Sequence, residues 1–328
     1  MNHGGDLSEA IALYGGAVHD WLDLSTGINP EPWPVPPDLL AGLHHLPTQA
    51  DENKLISVAS TAFDVPAHCL VVAAPGAQSL IQWLPHLAPP GAVAVLSPTY
   101  SEHARSWQQA GRDVSLFEDL TALPSAARHL VLVNPNNPDG RSVRLEDLRR
   151  TAETILARHG WLIIDESFID CAPHLSAISL CQPLPVLSLR SFGKFHGLPG
   201  LRLGFLIAHA EIARLFRQAL GPWPVSTPAL RIGAAALADQ AWAMATHDKL
   251  ALMAVRLDEV LEAAGLHVIG GASLFRLVSC ETATALHEAL ARKHIWCRCF
   301  NDAPNRLRFG LPRNDEELER LREGLRLS

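Results

Sequence analysis

Short apolar runs alternate with helical stretches along most of this 328-residue chain. Leu70-Val-Val-Ala-Ala74 reads as a buried strand that stops at Pro75-Gly76, and residues 77–87 follow as a helix. Ala92-Val-Ala-Val-Leu96 predicts the next strand and residues 100–110 the next helix. Leu130-Val-Leu-Val133, Trp161-Leu-Ile-Ile164, Val186-Leu-Ser-Leu189 and Gly204-Phe-Leu-Ile207 continue the series, with helices over 145–159 and 210–219. Runs of four or five apolar residues without polar alternation mark strands covered on both faces. Interleaved with helices, they predict an α/β domain built on a mostly parallel sheet. Ligands of such sheets bind beyond the carboxyl ends of the strands, and Gly76, Asn137 and Asp165 all fall just after strands.

The two ends of the chain depart from this pattern. Residues 1–40 carry little periodicity, and Glu31-Pro-Trp-Pro-Val-Pro-Pro37 cannot lie inside a helix, because proline lacks the amide donor and clashes with the preceding turn. This predicts an extended N-terminal arm lying over the functional site. After Pro222-Trp-Pro-Val-Ser-Thr-Pro228, long helices fill 229–265. A strand (273–278), a helix (282–292), two strands (295–299 and 306–310) and a last helix (314–325) follow. The expected organisation is an arm (1–40), a large domain (41–225) and a smaller α+β domain (226–328). Two cores suit this length and a hydrophobic content of 48%, since single cores stop growing at roughly 250–300 residues.

Composition removes several classes of function. The net charge is −7 and no block of like charges occurs, so the basic footprint of a nucleic-acid binder is missing. An anionic ligand must then be held by a few placed cations. No apolar stretch approaches the ~20 residues that span a bilayer. The opening Met-Asn-His-Gly-Gly-Asp6 lacks the basic-then-apolar order of a signal peptide. A soluble, cytoplasmic protein is expected, with neither nucleic-acid nor membrane partners. The six cysteines form no CxxC pair; Cys297 and Cys299 alternate in a predicted strand and are expected to be buried thiols, and no metal site is expected.

The strongest chemical signal is Ser191-Phe-Gly-Lys194-Phe-His-Gly-Leu-Pro-Gly-Leu-Arg202-Leu-Gly204. Its lysine sits among small and apolar residues after a buried strand, where it can lose its proton more readily and form an imine. The glycines let backbone approach a ligand closely. Ser191 and Arg202 offer a hydroxyl and a guanidinium fork suited to phosphate.

This segment resembles the lysine signature of the class I/II aminotransferase family of fold-type I pyridoxal-phosphate enzymes, matching at Ser191, Gly193, Lys194, Gly197, Gly200, Arg202 and Gly204. The resemblance extends over essentially the whole chain. It implies that pyridoxal 5'-phosphate is carried as a Schiff base on Lys194. It also implies that Asp165, in Ile164-Asp-Glu-Ser-Phe168, pairs with the pyridine nitrogen, so Lys194 and Asp165 are the expected catalytic residues. Asn137 would bond the phenolic oxygen, Tyr100 would stack on the ring, and Gly76-Ala77-Gln78 would join Ser191 and Arg202 around the phosphate. Arg308 would clamp a substrate carboxylate, with Arg306 as the alternative. Two family positions differ. Phe168 stands where many members have tyrosine, and Leu46-Pro-Thr-Gln-Ala-Asp51 replaces a segment that often supplies a tyrosine across a dimer interface. A homodimer is thus an open expectation.

The N-terminal His3-Gly-Gly-Asp6 and Leu24-Ser-Thr-Gly-Ile-Asn-Pro30 resemble the L-threonine-O-3-phosphate decarboxylases of cobalamin biosynthesis, a branch close to histidinol-phosphate aminotransferase. That resemblance implies a carboxy-lyase acting on a small phosphorylated amino acid, with His3, Gly4, Asn29, Asn137 and Arg308 binding substrate. The alternative is an aminotransferase acting on a phosphorylated amino compound such as histidinol phosphate. A non-catalytic binding protein on the same fold would have no need of Lys194.

Overall fold

The computed structural model describes residues 4–40 and 42–326, and these form two compact units. The smaller gathers the described residues of Met1–Pro32, Pro138–Gly140 and Ala241–Ser328; the larger gathers those of Trp33–Asn137 and Arg141–Gln240. Residues 4–32, read from sequence as an extended arm, instead carry a helix, α1 (Ser8–Tyr14), and a strand, β1 (Leu22–Leu24), that belong to the smaller unit. The proline-rich stretch from Trp33 onward belongs to the larger one, which runs on past residue 225 to Gln240.

In chain order the larger unit begins with α2 (Gln49–Ala62), β2 (Cys69–Ala74), α3 (Ala77–Leu87), β3 (Ala92–Leu96) and α4 (Glu102–Gln109). It continues with β4 (Val114–Phe117), β5 (Ala127–Val133), α5 (Leu145–Ala157), β6 (Leu162–Asp165) and β7 (Val186–Ser191). A single helical turn, α6 (Phe192–Phe195), precedes β8 (Gly204–His209), α7 (Ala210–Leu220) and α8 (Thr227–Ala238). The seven strands are ordered β2-β8-β7-β6-β5-β3-β4. β8 runs antiparallel to both neighbours, and all other pairs are parallel.

The expected buried runs are the core. Val72, Val95, Val131, Ile163, Leu187 and Leu206 from successive strands pack with Leu80, Ile81 and Leu84 of α3 and with Trp107, Trp161 and Phe216. Two helix starts carry side-chain caps: Thr48 accepts from the Asp51 amide ahead of α2, and Ser226 from the Ala229 amide ahead of α8. The segment Leu46–Asp51 therefore opens a helix, and Asp51 pairs with Arg231 of α8 at 3.0 Å.

The smaller unit adds α9 (Gln240–Ala263), β9 (His267–Ala272), β10 (Phe275–Ser279), α10 (Ala283–Ala291), β11 (Ile295–Cys299), β12 (Arg306–Gly310) and α11 (Asp315–Arg326). Its sheet is ordered β1-β11-β12-β10-β9, with β1 parallel to β11 and the rest antiparallel. Cys297 is buried but Cys299 is exposed, correcting the expectation of two buried thiols; the strand ends at Cys299 and its last side chain lies beyond the packed face. Among the described residues no helix is long and apolar enough to cross a membrane.

Candidate active site

In the larger unit the sheet brings the expected residues to one end. Register places Ala74, Gly204 and Ser191 in one row across β2, β8 and β7. Val133, Asp165 and Leu189 form the matching row across β5, β6 and β7. The starts of α3 and α6, and the turn carrying Asn136 and Asn137, therefore emerge at the same edge.

The α3 start is a close-packed cradle. Gly76 has φ +80°, and a Cβ there would lie 2.6 Å from Arg202 Nη2. A Cβ on Gly204 would lie 2.4 Å from the Ala77 amide nitrogen. Only glycine lets the β8 backbone and the Arg202 guanidinium approach this helix start so closely. Arg202 itself is exposed, in left-handed conformation, and donates to the Pro199 carbonyl at 3.3 Å. Free backbone amides at a helix start and a guanidinium beside them are donors that suit an anion.

Lys194 rides on α6, which is fixed from several sides. A Cβ on Gly193 would meet Pro199 Cα at 2.7 Å, and the His196 ring stacks on Phe192 at 4.2 Å. The Trp33 amide donates to the His196 carbonyl at 2.9 Å, so the proline-rich stretch pins the turn that carries the lysine. Lys194 Nζ lies 5.7 Å from the centre of the Phe168 ring.

Asp165 is buried at the tip of β6. Burial alone would raise its pKa, but the His103 hydrogen bond and charge, with the Ser167 hydroxyl and amide, hold the carboxyl below its ordinary value. His103 Nε2 sits 2.8 Å from Asp165 Oδ2. An ionised carboxylate only accepts, so the ring nitrogen donates. Sequence reading missed His103; its signal is its place one helical turn after Tyr100, on α4. Also missed was Asn136, which donates to the Pro98 carbonyl at 2.9 Å and accepts from Thr99 at 2.6 Å. It ties the turn before Tyr100 to the turn bearing Asn137. Tyr100 is half-buried and donates to Gln78 Oε1 at 3.1 Å.

Next to Asp165, Glu166 is fully buried and meets Arg190 at 3.0 Å, the Ala177 amide at 2.6 Å and the Ser188 hydroxyl at 2.9 Å. Arg190 also pairs with Asp170 at 2.8 Å. This network staples the Phe168 loop to β7.

The remaining expected residues lie in the smaller unit. His3 is outside the described residues. Gly4 is exposed, and a Cβ there would lie 2.3 Å from the Ser25 carbonyl oxygen. Arg308 Nη2 donates to that same carbonyl at 2.7 Å, and Asn29 is buried nearby in sequence. Arg308 is buried, whereas Arg306 at the strand start is half-buried. Burial, and then the charge of Arg298, lower the Arg308 pKa to about 10. Arg298 is its direct cross-strand partner in β11, and sequence reading missed it. An arginine inside Ile295-Trp-Cys-Arg-Cys299 is the signal that points to it.

A buried carboxylate, a helix-start anion cradle and a lysine on a short, fixed turn fit the expected pyridoxal phosphate: the donors suit its phosphate and the carboxylate its basic nitrogen. The profile described as "Aminotransferase class I and II" matches residues 55–325. The chain belongs to the class I and II aminotransferase family. It is 42% identical over 311 residues to a threonine-phosphate decarboxylase of Sinorhizobium sp, covering 94% of this chain and 92% of the relative. It is 37% identical to the threonine-phosphate decarboxylase of Pseudomonas aeruginosa, covering 98% and 96%. The fold matches that of histidinol-phosphate aminotransferase from Sinorhizobium meliloti, solved in complex with pyridoxal-5'-phosphate. That match has a TM-score of 0.80 at 21% identity and covers 98% of this chain and 95% of that one. The sequence expectation of a fold-type I α/β architecture therefore holds.

Proposed function

We propose that this chain is a pyridoxal-phosphate-dependent carboxy-lyase that converts L-threonine O-3-phosphate to (R)-1-aminopropan-2-yl phosphate for cobalamin biosynthesis. The observation that carries this reading is similarity over nearly the full length to relatives named threonine-phosphate decarboxylase. Bound pyridoxal phosphate supplies the electron sink that accepts the pair released with carbon dioxide. Gly76, Ala77, Gln78, Ser191 and Arg202 bind its phosphate, Asn137 its phenolic oxygen, and Tyr100 its ring face. Asp165 holds a negative charge against the ring nitrogen, and His103 keeps that charge in place. Lys194 anchors the cofactor, and its Nζ moves the proton that replaces the departing carboxylate.

Arg308, with a pKa of about 10, stays cationic at neutral pH and orients the substrate carboxylate. The substrate carries a second anion, and the neighbouring Arg298 answers it, together with the Gly4 segment and Asn29. Leu40, Leu43, Leu46 and Trp223 stand largely exposed on the larger unit, and pairing with a second copy would cover them. Light scattering at micromolar concentration tests that assembly. Six free cysteines accord with a reducing, cytoplasmic setting.

The test of the reaction is to give cofactor-loaded protein O-phospho-L-threonine with no 2-oxo acid and follow carbon dioxide. Release sustained over many turnovers is the expected result. Turnover only with histidinol phosphate plus 2-oxoglutarate would make the protein an aminotransferase.

A further inference from the structure

One buried acid beside the cofactor site has no part in the chemistry above. Glu102, at the start of α4, is 8% exposed. Its Oε2 accepts from Gln78 Nε2 at 3.3 Å and its Oε1 from Arg105 Nη1 at 3.4 Å. Gln78 in turn accepts, through Oε1, the Tyr100 hydroxyl at 3.1 Å. A glutamine side chain has a donor end and an acceptor end, whereas a carboxylate only accepts. Glu102 therefore obliges Gln78 to present its amide nitrogen to the acid and its carbonyl oxygen to the tyrosine. Tyr100 must then act as donor. An unpartnered glutamine could turn its amide over with little change in shape.

We propose that Glu102 is a positioning residue: it fixes the Gln78 amide, which holds the Tyr100 hydroxyl as a donor and so keeps the tyrosine ring in one orientation. The inference rests on the reading of Tyr100 as the neighbour of the cofactor ring. The surroundings agree with a hydroxyl that keeps its proton. Burial, and then the charges of Glu102 and Asp165 against that of Arg202, push the Tyr100 pKa up to about 12. The His103 ring meets Tyr100 edge-on at 6.0 Å. Tyr100 is thus a neutral, oriented face. Its proton is directed at Gln78.

The test is a double-mutant cycle on the full chain. Glu102→Gln preserves shape but allows Gln78 either amide orientation. It is crossed with Tyr100→Phe, which removes the hydroxyl to be oriented. The readouts are the dissociation constant of pyridoxal phosphate, measured by fluorescence titration, and kcat and KM. Glu102→Gln should weaken cofactor binding roughly three- to tenfold, the range of one ordinary hydrogen bond, and lower kcat more than it raises KM. In the Tyr100→Phe background the same change should have no further effect. An equal loss in both backgrounds, or no loss in either, would overturn the proposal, because Glu102 would then act only locally with Arg105. A Tyr100→Ala variant that binds the cofactor as tightly as the parent would instead sink the placement of Tyr100 at the ring, and the proposal with it.

Discussion

Replacing His103 with leucine asks how far the charge on Asp165 depends on one hydrogen bond. Both groups are almost fully buried and 2.8 Å apart. Leucine fills much of the same volume but donates nothing. Asp165 keeps its bonds to the Ser167 amide and hydroxyl, so the carboxylate is weakened without being orphaned. A hydrogen bond to a charged group contributes about 1.5–3 kcal/mol. If that stabilisation is felt where the ring nitrogen holds its proton, kcat falls about 10- to 100-fold. In the parent, Asp165 lies below its ordinary carboxylate value, so the stability it contributes is present above that value and lost as pH falls through the folded one. Without His103 the carboxyl rises, and both the acid limb of kcat and the onset of acid unfolding move to higher pH. Steady-state carbon dioxide release followed from neutral pH down through and below the ordinary carboxylate range, read beside urea unfolding at each pH, measures both. Unchanged kcat with an unmoved acid limb would refute the claim that His103 tunes Asp165.

Three further outcomes follow from the same geometry. Lys194→Ala should abolish turnover and the visible absorbance of the bound cofactor; full activity would remove the lysine from its central place. Arg190→Leu leaves Glu166 buried without its cation and should destabilise the protein by about 3–5 kcal/mol in urea, whereas adding Glu166→Gln to that variant should recover part of the loss. Burial of His129 lowers its pKa to about 4, so the unfolded chain binds more protons between about 6.5 and 4. Stability should fall as pH drops through that window, by at most about 3 kcal/mol, and His129→Gln should flatten that slope.

The parallel strands were legible because each is a continuous apolar run, and β3, α3 and β11 begin and end close to where those patterns do. β4 was not, because Val114–Phe117 lies at the sheet edge, where only Phe117 is buried, and has no such run. The strand expected at 273–278 is present as β10, but β9, which precedes it and pairs with it antiparallel, was not expected. Gly270 and Gly271 weaken the apolar pattern of β9, and a Cβ on Gly270 would meet the Asp139 carbonyl oxygen at 2.2 Å. That contact between distant segments leaves no local trace. The lysine, aspartate and asparagine of the site lie at or just after strand ends, where spacing exposes them. His103, Glu102, Asn136 and Arg298 do not. Each gains its meaning from a partner far away in sequence: 62 residues from His103 to Asp165, or a cross-strand register from Arg298 to Arg308.

The parallel pairing of β1 with β11 has a consequence for synthesis. Leu22 is matched to Ile295, so the first strand made must wait for nearly the last. At about 5–20 residues per second that delay is roughly 15–55 s. Trp21 and Leu24, both buried in the finished protein, leave the ribosome long before the strand that covers one side of them exists. The larger unit, whose sheet draws only on residues 69–209, can close in the meantime. The N-terminal segment then becomes the final piece set into a sheet completed from the other end of the chain, and its exposure to chaperones and proteases is set by the pace of translation.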